Sequence, residues 1–309
     1  MIRIADKGTR VIADIAANHF RMLEPIVTRA VKQHLPSRQR DYILERLERI
    51  LIGQPADLVR LNENYLRFCR QNRLKANRGM TSAFSYDNFS QRTSYNLYDL
   101  AHLLKVNVCP YCNRQYTFTI SRDRERITRP EFDHFFCQEL YPMLALSFYN
   151  LVPSCVICNS RLKGRADFRL STHLNPFLHG FESDMQFGYD TPSAEAAIGL
   201  AEDFTITLNL LTGAANHTCI RGNCDTFHLE PIYQEHKDTV REIIRKHYTT
   251  KGKYLQMLAH SIPAMHTTDA ELYLLAFGNY YDEIDFDRRP LGKLTKDIFN
   301  SLKFDHPVI

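Results

Sequence analysis

Long apolar runs are what this 309-residue chain lacks first. No stretch approaches the roughly 20 residues that a membrane-spanning helix needs, so no membrane association is expected. Residues 1–20 carry Asp6, Lys7, Arg10 and Asp14, and so lack the apolar core of a secretory signal. A soluble, cytoplasmic protein is the expectation. There is no internal repeat and no low-complexity segment, which argues against a solenoid or a compositionally disordered chain. What is present is ordinary for a globular protein: 44% hydrophobic residues supply a core for one large domain or two smaller ones.

The net charge of +4 hides an asymmetry. Residues 1–105 hold 18 Lys and Arg against 10 Asp and Glu, and the rest of the chain holds 21 against 25. The basic front part suits a phosphate backbone or an acidic partner surface, or is simply a solvated helical face.

Apolar spacing predicts a mostly helical α+β protein. Ile12, Ile15, Ala16, Phe20, Leu23, Ile26, Val27 and Ala30 follow one helical stripe. After Pro36-Ser37, a second helix carries Ile43, Leu44, Leu47, Ile50 and Leu51, and ends at Gly53-Gln54-Pro55. A third carries Leu58, Leu61, Tyr65 and Phe68. Residues 76–93 read as a polar linker, followed by a short helix from Tyr95 to Lys105. Tyr116, Phe118 and Ile120 alternate as a strand ended by the charged turn Arg122–Glu125. Further expectations are a strand at Phe132–Phe135, an apolar helix at Leu140–Tyr149 and extended chain at Asn150–Pro153. A helix from about Ile157 to beyond Lys163 and a strand at Phe204–Leu210 follow. From Ile232 helices dominate, with Tyr233, His236, Val240, Ile243, Ile244 and His247 on one face. The expected organisation is a basic helical region at 1–93, a central core at 94–178, and a strand plus helices at 179–309.

Cysteine spacing carries the chemistry. Cys109-Pro110-Tyr111-Cys112 and Cys155-Val156-Ile157-Cys158 are two C-x-x-C turns separated by 42 residues. In a cytoplasmic chain such pairs favour metal over disulfides, and four thiolates make a closed tetrahedral Zn²⁺ site with no position for water. The zinc is therefore read as structural. Cys219 and Cys224 form a looser pair that is either two buried thiols or, with His217 or His228, a second metal site. Cys69 and Cys137 are isolated, and buried thiols are the default for both.

Between the knuckles lies Asp133-His134, and after them come Asn150 and Asn159. Phosphodiester hydrolysis needs a base for water and a divalent cation for the leaving oxygen. His134 is a suitable base, because its unperturbed pKa lies near neutrality. Asp133 and Asn159 offer hard oxygens to Mg²⁺ or Mn²⁺. Lys163, four residues after Asn159 on a helix, is placed to contact a phosphate oxygen. Adjacent strand residues face opposite ways, so a twist or bulge is expected where Asp133 and His134 approach one phosphate.

The run Cys109-x-x-Cys112 … Asp133-His134 … Asn150-Leu151-Val152-Pro153-x-Cys155-x-x-Cys158-Asn159-x-x-x-Lys163-Gly164 resembles the HNH motif of ββα-metal endonucleases, over about residues 105–175. The resemblance implies a hairpin and helix gripping one catalytic divalent ion, with zinc holding the motif closed. By that resemblance His134 is the general base, Asp133 and Asn159 are metal ligands, and Asn150 orients the histidine and constrains the loop. Asn159 stands where many members have His. A more distant similarity runs through His173-Leu174-Asn175-Pro176-Phe177, Thr226-Phe227-His228-Leu229 and Tyr233-x-x-His236-Lys237. It resembles nuclease subunits of bacterial anti-phage ATPase–nuclease systems, the Septu-type and retron-associated kinds, and implies an ATPase partner and a defence role. His173 is an additional metal or phosphate contact or a structural histidine. The expected activity is a DNA endonuclease with weak sequence preference, since no base-reading element stands out. The competing expectation is a zinc-stabilised nucleic-acid-binding or adaptor subunit that is inactive, or active only with its partner.

Overall fold

Apolar stripes at helical spacing set most of this architecture. The computed structural model describes residues 1–123, 125–261 and 268–304; the expected turn at Arg122–Glu125 includes Arg124, which lies outside them. The fold is mixed α+β, about half helical, with three small antiparallel two-stranded sheets among the described residues. No helix among those residues is long and apolar enough to cross a membrane. The chain divides into two compact units, one of residues 5–106 and 117–177, the other of residues 1–4, 107–116 and 178–309.

The first unit starts with α1 (Ile12–His34), which buries Ile12, Ile15, Ala16, His19, Leu23, Val27 and Val31. His19 takes a stripe position that an aliphatic residue would ordinarily fill. The single helix expected next is two, α2 (Ser37–Leu44) and α3 (Leu47–Ile52). The break has a local cause. Arg46 folds its guanidinium over the Tyr42 ring and donates Nη1 to the Tyr42 carbonyl at 3.0 Å, the acceptor that a continuing helix would use. Its own N–H goes to Ile43 instead. α4 (Pro55–Gln71) begins on Pro55, whose missing N–H has no helical partner to lose there.

Residues 76–93 are not a linker. They fold as α5 (Met80–Ala83) and α6 (Tyr86–Gln91), with Met80, Ala83, Phe84 and Phe89 buried. Gly79 makes the turn into α5 at φ 74°, where a Cβ would collide with the His34 carbonyl. α7 (Leu97–Leu104) follows a capping box between Asn96 and Asp99. The strand expected at 116–120 is displaced: β1 (Ile120–Arg122) pairs with β2 (Glu125–Thr128) as an exposed hairpin. β3 (Glu131–His134) pairs with β4 (Leu151–Ser154) in unbroken antiparallel register, Glu131 opposite Ser154 and His134 opposite Leu151.

The segment between β3 and β4 was expected to be helical and holds two 3₁₀ turns, Pro142–Leu144 and Phe148–Asn150. Side chains engage the carbonyls of Ala145 and Leu146, and Asn150 shares that of Leu144 with the Ser147 N–H three residues on, so the segment forms 3₁₀ turns rather than an α-helical ladder. After β4 comes one short helix, Ile157–Lys163, called the site helix below. It is wound wide: Gly164 donates five residues back to the Asn159 carbonyl at 2.8 Å. Such π-type turns concentrate at functional sites.

The second unit pairs β5 (Met185–Asp190) with β6 (Thr205–Leu210), a short α8 (Ala194–Ala197) lying between them in sequence. Next come α9 (His217–Thr226), α10 (Leu229–Tyr233) and α11 (Lys237–Thr249). The face expected from Ile232 onward buries Tyr233, Val240, Ile243 and Ile244, while His236 and His247 stay half-exposed. α12 (Tyr254–Ser261), α13 (Asp269–Phe277) and α14 (Gly292–Leu302) complete the unit. The 107–116 segment is tied down within it. Asn113 donates to the Phe286 carbonyl at 2.9 Å and accepts from the Lys293 N–H, and Tyr233 donates to the Cys112 carbonyl at 2.6 Å.

Candidate functional site

Strand and helix periodicities meet at the site. Glu131 and Asp133 lie two apart on β3 and share a face; Asn159 and Lys163 lie four apart on the site helix and share another. The pairs meet as two rungs, Asn159 with Glu131 and Lys163 with Asp133. Asn159 Nδ2 donates to Glu131 Oε2 at 2.9 Å, and Ser160 donates to the same oxygen at 2.7 Å. Lys163 Nζ lies 2.9 Å from Asp133 Oδ1, with only 1% and 2% of the two side chains exposed. Lys163 also donates to the His134 carbonyl at 2.7 Å. Its charge therefore meets Asp133 rather than solvent.

His134 ends the strand and faces the other way from Asp133, yet no bulge is needed. Both line one cleft of about 410 Å³, together with Tyr86, Arg129, Glu131, Cys137, Asn159, Lys163 and Arg165. His134 Nε2 lies 2.9 Å from the Ala145 carbonyl oxygen. A carbonyl only accepts, so Nε2 carries the proton and Nδ1 is the basic nitrogen of the neutral ring. Burial lowers the His134 pKa below the ordinary histidine value; the Ala145 hydrogen bond and Asp133 oppose that shift, and Lys163 adds to it. The Tyr86 ring packs edge-on against His134 at 4.7 Å, and burial pushes its phenol up to about 12, so it stays neutral.

Asn150 is wholly buried and does not line the cleft. Its Oδ1 accepts from the Phe136 N–H at 2.7 Å, and its Nδ2 donates to the carbonyls of Phe136 at 3.3 Å and Leu144 at 2.9 Å. It thus closes the loop that carries the Ala145 carbonyl. His173 is outside the cleft lining and stacks on Phe168 at 3.6 Å.

Glu131, Tyr86 and Arg129 are among the cleft residues with no counterpart in the sequence reading. Glu131 had a legible signal, an acid two positions before Asp133 on the same strand face. Tyr86 and Arg129 had none, because α6 and the end of the exposed hairpin reach the site only through tertiary packing.

The sulfurs of Cys109, Cys112, Cys155 and Cys158 all lie within 4.8 Å of one another, and all four residues are buried. A tetrahedral zinc with bonds of about 2.3 Å spaces its sulfurs by about 3.8 Å, so a small contraction of the cluster accommodates the ion. The Cys158 N–H also points at Cys155 Sγ at 3.4 Å, which favours a thiolate there. The cluster can hold a metal such as zinc. Among the described residues no other group of three or more His, Cys, Asp or Glu side chains comes close enough together to do so. Cys219 and Cys224 form no such group with His217 or His228: both cysteines sit on α9, where five residues advance about 140° around the axis and part the thiols. The chain matches no family model, no curated protein and no solved structure.

Proposed function

We propose that this chain is a metal-dependent endonuclease of the HNH type, hydrolysing phosphodiester bonds in DNA with little sequence preference. The observation that carries the reading is the state of His134: its Nε2–H is held by a backbone carbonyl, leaving Nδ1 as the base in a cleft shared with Asp133 and Asn159. In this reading Nδ1 takes a proton from a water that attacks the phosphorus opposite the leaving 3′ oxygen; the P–O bond breaks and the 3′ oxygen is protonated. A pKa below the ordinary histidine value, lowered mainly by burial, favours the neutral ring that a general base requires.

Asp133 and Asn159 would hold Mg²⁺ or Mn²⁺, which supplies charge stabilisation at the phosphate and the leaving oxygen when bound. The donors fit a hard cation. Asn159 directs its Nδ2 to Glu131, which leaves the amide oxygen for a metal. The formal charges around the cleft also support the need for one. Arg129, Lys163 and Arg165 face Glu131, Asp133 and Glu139, so the protein alone offers a polyanion no net attraction.

The ion pair between Asp133 and Lys163 favours a second reading, a zinc-stabilised module that binds nucleic acid or awaits a partner subunit before taking up metal. The anti-phage role and the ATPase partner remain proposals carried by resemblance, tested by phage challenge of cells expressing the system with and without this chain. The activity itself is tested on supercoiled plasmid, linear DNA and structured RNA with Mg²⁺, Mn²⁺ or chelator, beside His134→Ala. The expected result is metal-dependent DNA cleavage lost in the variant. Cleavage that persists in His134→Ala rejects the proposed base, and binding without cleavage by the wild type selects the second reading.

A further inference from the structure

Four consecutive residues between β3 and β4 are held by four separate side-chain hydrogen bonds. The Leu144 carbonyl accepts from Asn150 Nδ2 at 2.9 Å. The Ala145 carbonyl accepts from His134 Nε2 at 2.9 Å. The Leu146 carbonyl accepts from His19 Nε2 at 2.8 Å. Ser147 Oγ donates to the Ile50 carbonyl at 2.5 Å. The base is thus held by the middle of a short segment whose two ends are fixed by α1, α3 and Asn150.

His19 is the unusual member. It is fully buried among the rings of Phe89, Tyr95 and Phe148, at 5.7 to 5.8 Å. Packing alone would be served there by Leu or Ile, without the penalty of burying a polar ring. Both nitrogens are used: Nε2 donates to Leu146, and Nδ1 accepts from the Tyr95 hydroxyl at 2.9 Å. The Leu146 carbonyl is one residue along from the carbonyl that holds His134, so the two histidines share one short stretch of backbone.

We infer that His19 is a positioning residue for His134, acting through the Leu146 carbonyl to hold the Ala145 carbonyl where it keeps the His134 proton on Nε2. Ser147, in the same segment, adds a second anchor by donating to the Ile50 carbonyl of α3. The helical front part is thereby built into the site, and need not be only a docking arm. The catalytic consequence rests on the nuclease reading; the tautomer of His134 does not.

The test uses the full chain, zinc-loaded and ¹⁵N-labelled at its 13 histidines. Ring nitrogen–proton correlations report each tautomer, and His134→Ala identifies the His134 signals. In the wild type His134 is the Nε2–H tautomer. In His19→Leu and in Ser147→Ala it becomes a mixture of both tautomers, and His19→Gln, which keeps an N–H donor, restores the single form. If His19→Leu fails to fold, Ser147→Ala carries the test. A single Nε2–H tautomer retained in folded His19→Leu, or in Ser147→Ala when that variant stands alone, overturns the inference. Plasmid cleavage adds an independent readout: kcat falls on the order of tenfold or more, since small displacements of a reacting group are costly, while KM for DNA stays put. Tautomer changes in a chain that cleaves nothing sink the nuclease reading and leave the positioning role standing. Unchanged tautomer and unchanged kcat in an active enzyme sink the positioning role alone.

Discussion

Replacing Lys163 by Met keeps the stem and removes the charge from the most buried ion pair of the site. Lys163 Nζ is 2.9 Å from Asp133 Oδ1, and neither side chain exposes more than 2% of its surface, so water screens neither charge. The variant strands a carboxylate in the protein interior. Breaking a buried pair from one side costs about 3–5 kcal/mol, against about 0–1 kcal/mol for an exposed pair. At a urea slope of about 2 kcal/mol/M, a loss near 4 kcal/mol moves the unfolding midpoint down by about 2 M, which circular dichroism resolves easily. Adding Asp133→Asn to the same chain removes the stranded charge and recovers more than half of the loss. Metal provides the second arm. A ligand at a hundredfold its Kd stabilises the folded state by about 2.7 kcal/mol. If Asp133 is a cation ligand, saturating Mn²⁺ stabilises Lys163→Met more than the wild type, where the ammonium competes for the same carboxylate. A Lys163→Met variant within 1 kcal/mol of wild type would refute the buried-pair argument. Equal Mn²⁺ stabilisation of both proteins would refute the competition.

Purified protein is expected to carry one zinc per chain, read by atomic emission, and its removal by chelator or Cys155→Ser is expected to lower the unfolding temperature, because binding energy at a structural site is folding energy. Asn150→Ala leaves the Phe136 and Leu144 backbone groups without their buried partner, at about 1–3 kcal/mol for each group, and the urea midpoint should fall accordingly. Glu131→Gln weakens the hold on Asn159; the Mn²⁺ concentration for half-maximal cleavage is expected to rise while saturating kcat changes little, and an unchanged metal dependence would exclude this role. Burial holds the His19 pKa down at about 4, below the unfolded value of about 6.5. The folded state therefore binds fewer protons than the unfolded chain between those values. Stability is full above pH 6.5 and lost as pH falls toward 4, by about 2 kcal/mol at pH 5, and folded His19→Gln should lack that share of the acid loss.

Local pattern made the coarse architecture legible. The stripe of α1, the stripe Leu58, Leu61 and Tyr65 of α4 and the alternation of β6 are visible in sequence because their burial repeats with the period of the element itself. The failures share one cause. The break between α2 and α3 comes from Arg46 taking the Tyr42 carbonyl. The apolar run Leu140–Tyr149 is not a helix because the side chains of Asn150, His134 and His19 engage the carbonyls of Leu144, Ala145 and Leu146. Residues 76–93 look polar, yet their few apolar side chains are buried as α5 and α6.

For the candidate site, the sequence by itself determined the donors: two C-x-x-C turns, an Asp-His step and two asparagines at ordered spacing. Spacing along a chain says which groups can be near one another, but not which proton is where or which charge is already matched. Tertiary structure alone decided those. It joined Lys163 to Asp133, gave Glu131 the Asn159 amide, brought Tyr86 against His134, and set the proton of His134 on Nε2 through the Ala145 carbonyl, next to the Leu146 carbonyl that His19 binds. Hydrogen bonds and buried ion pairs act over a few ångströms of space, and only the folded chain determines which groups lie within that reach.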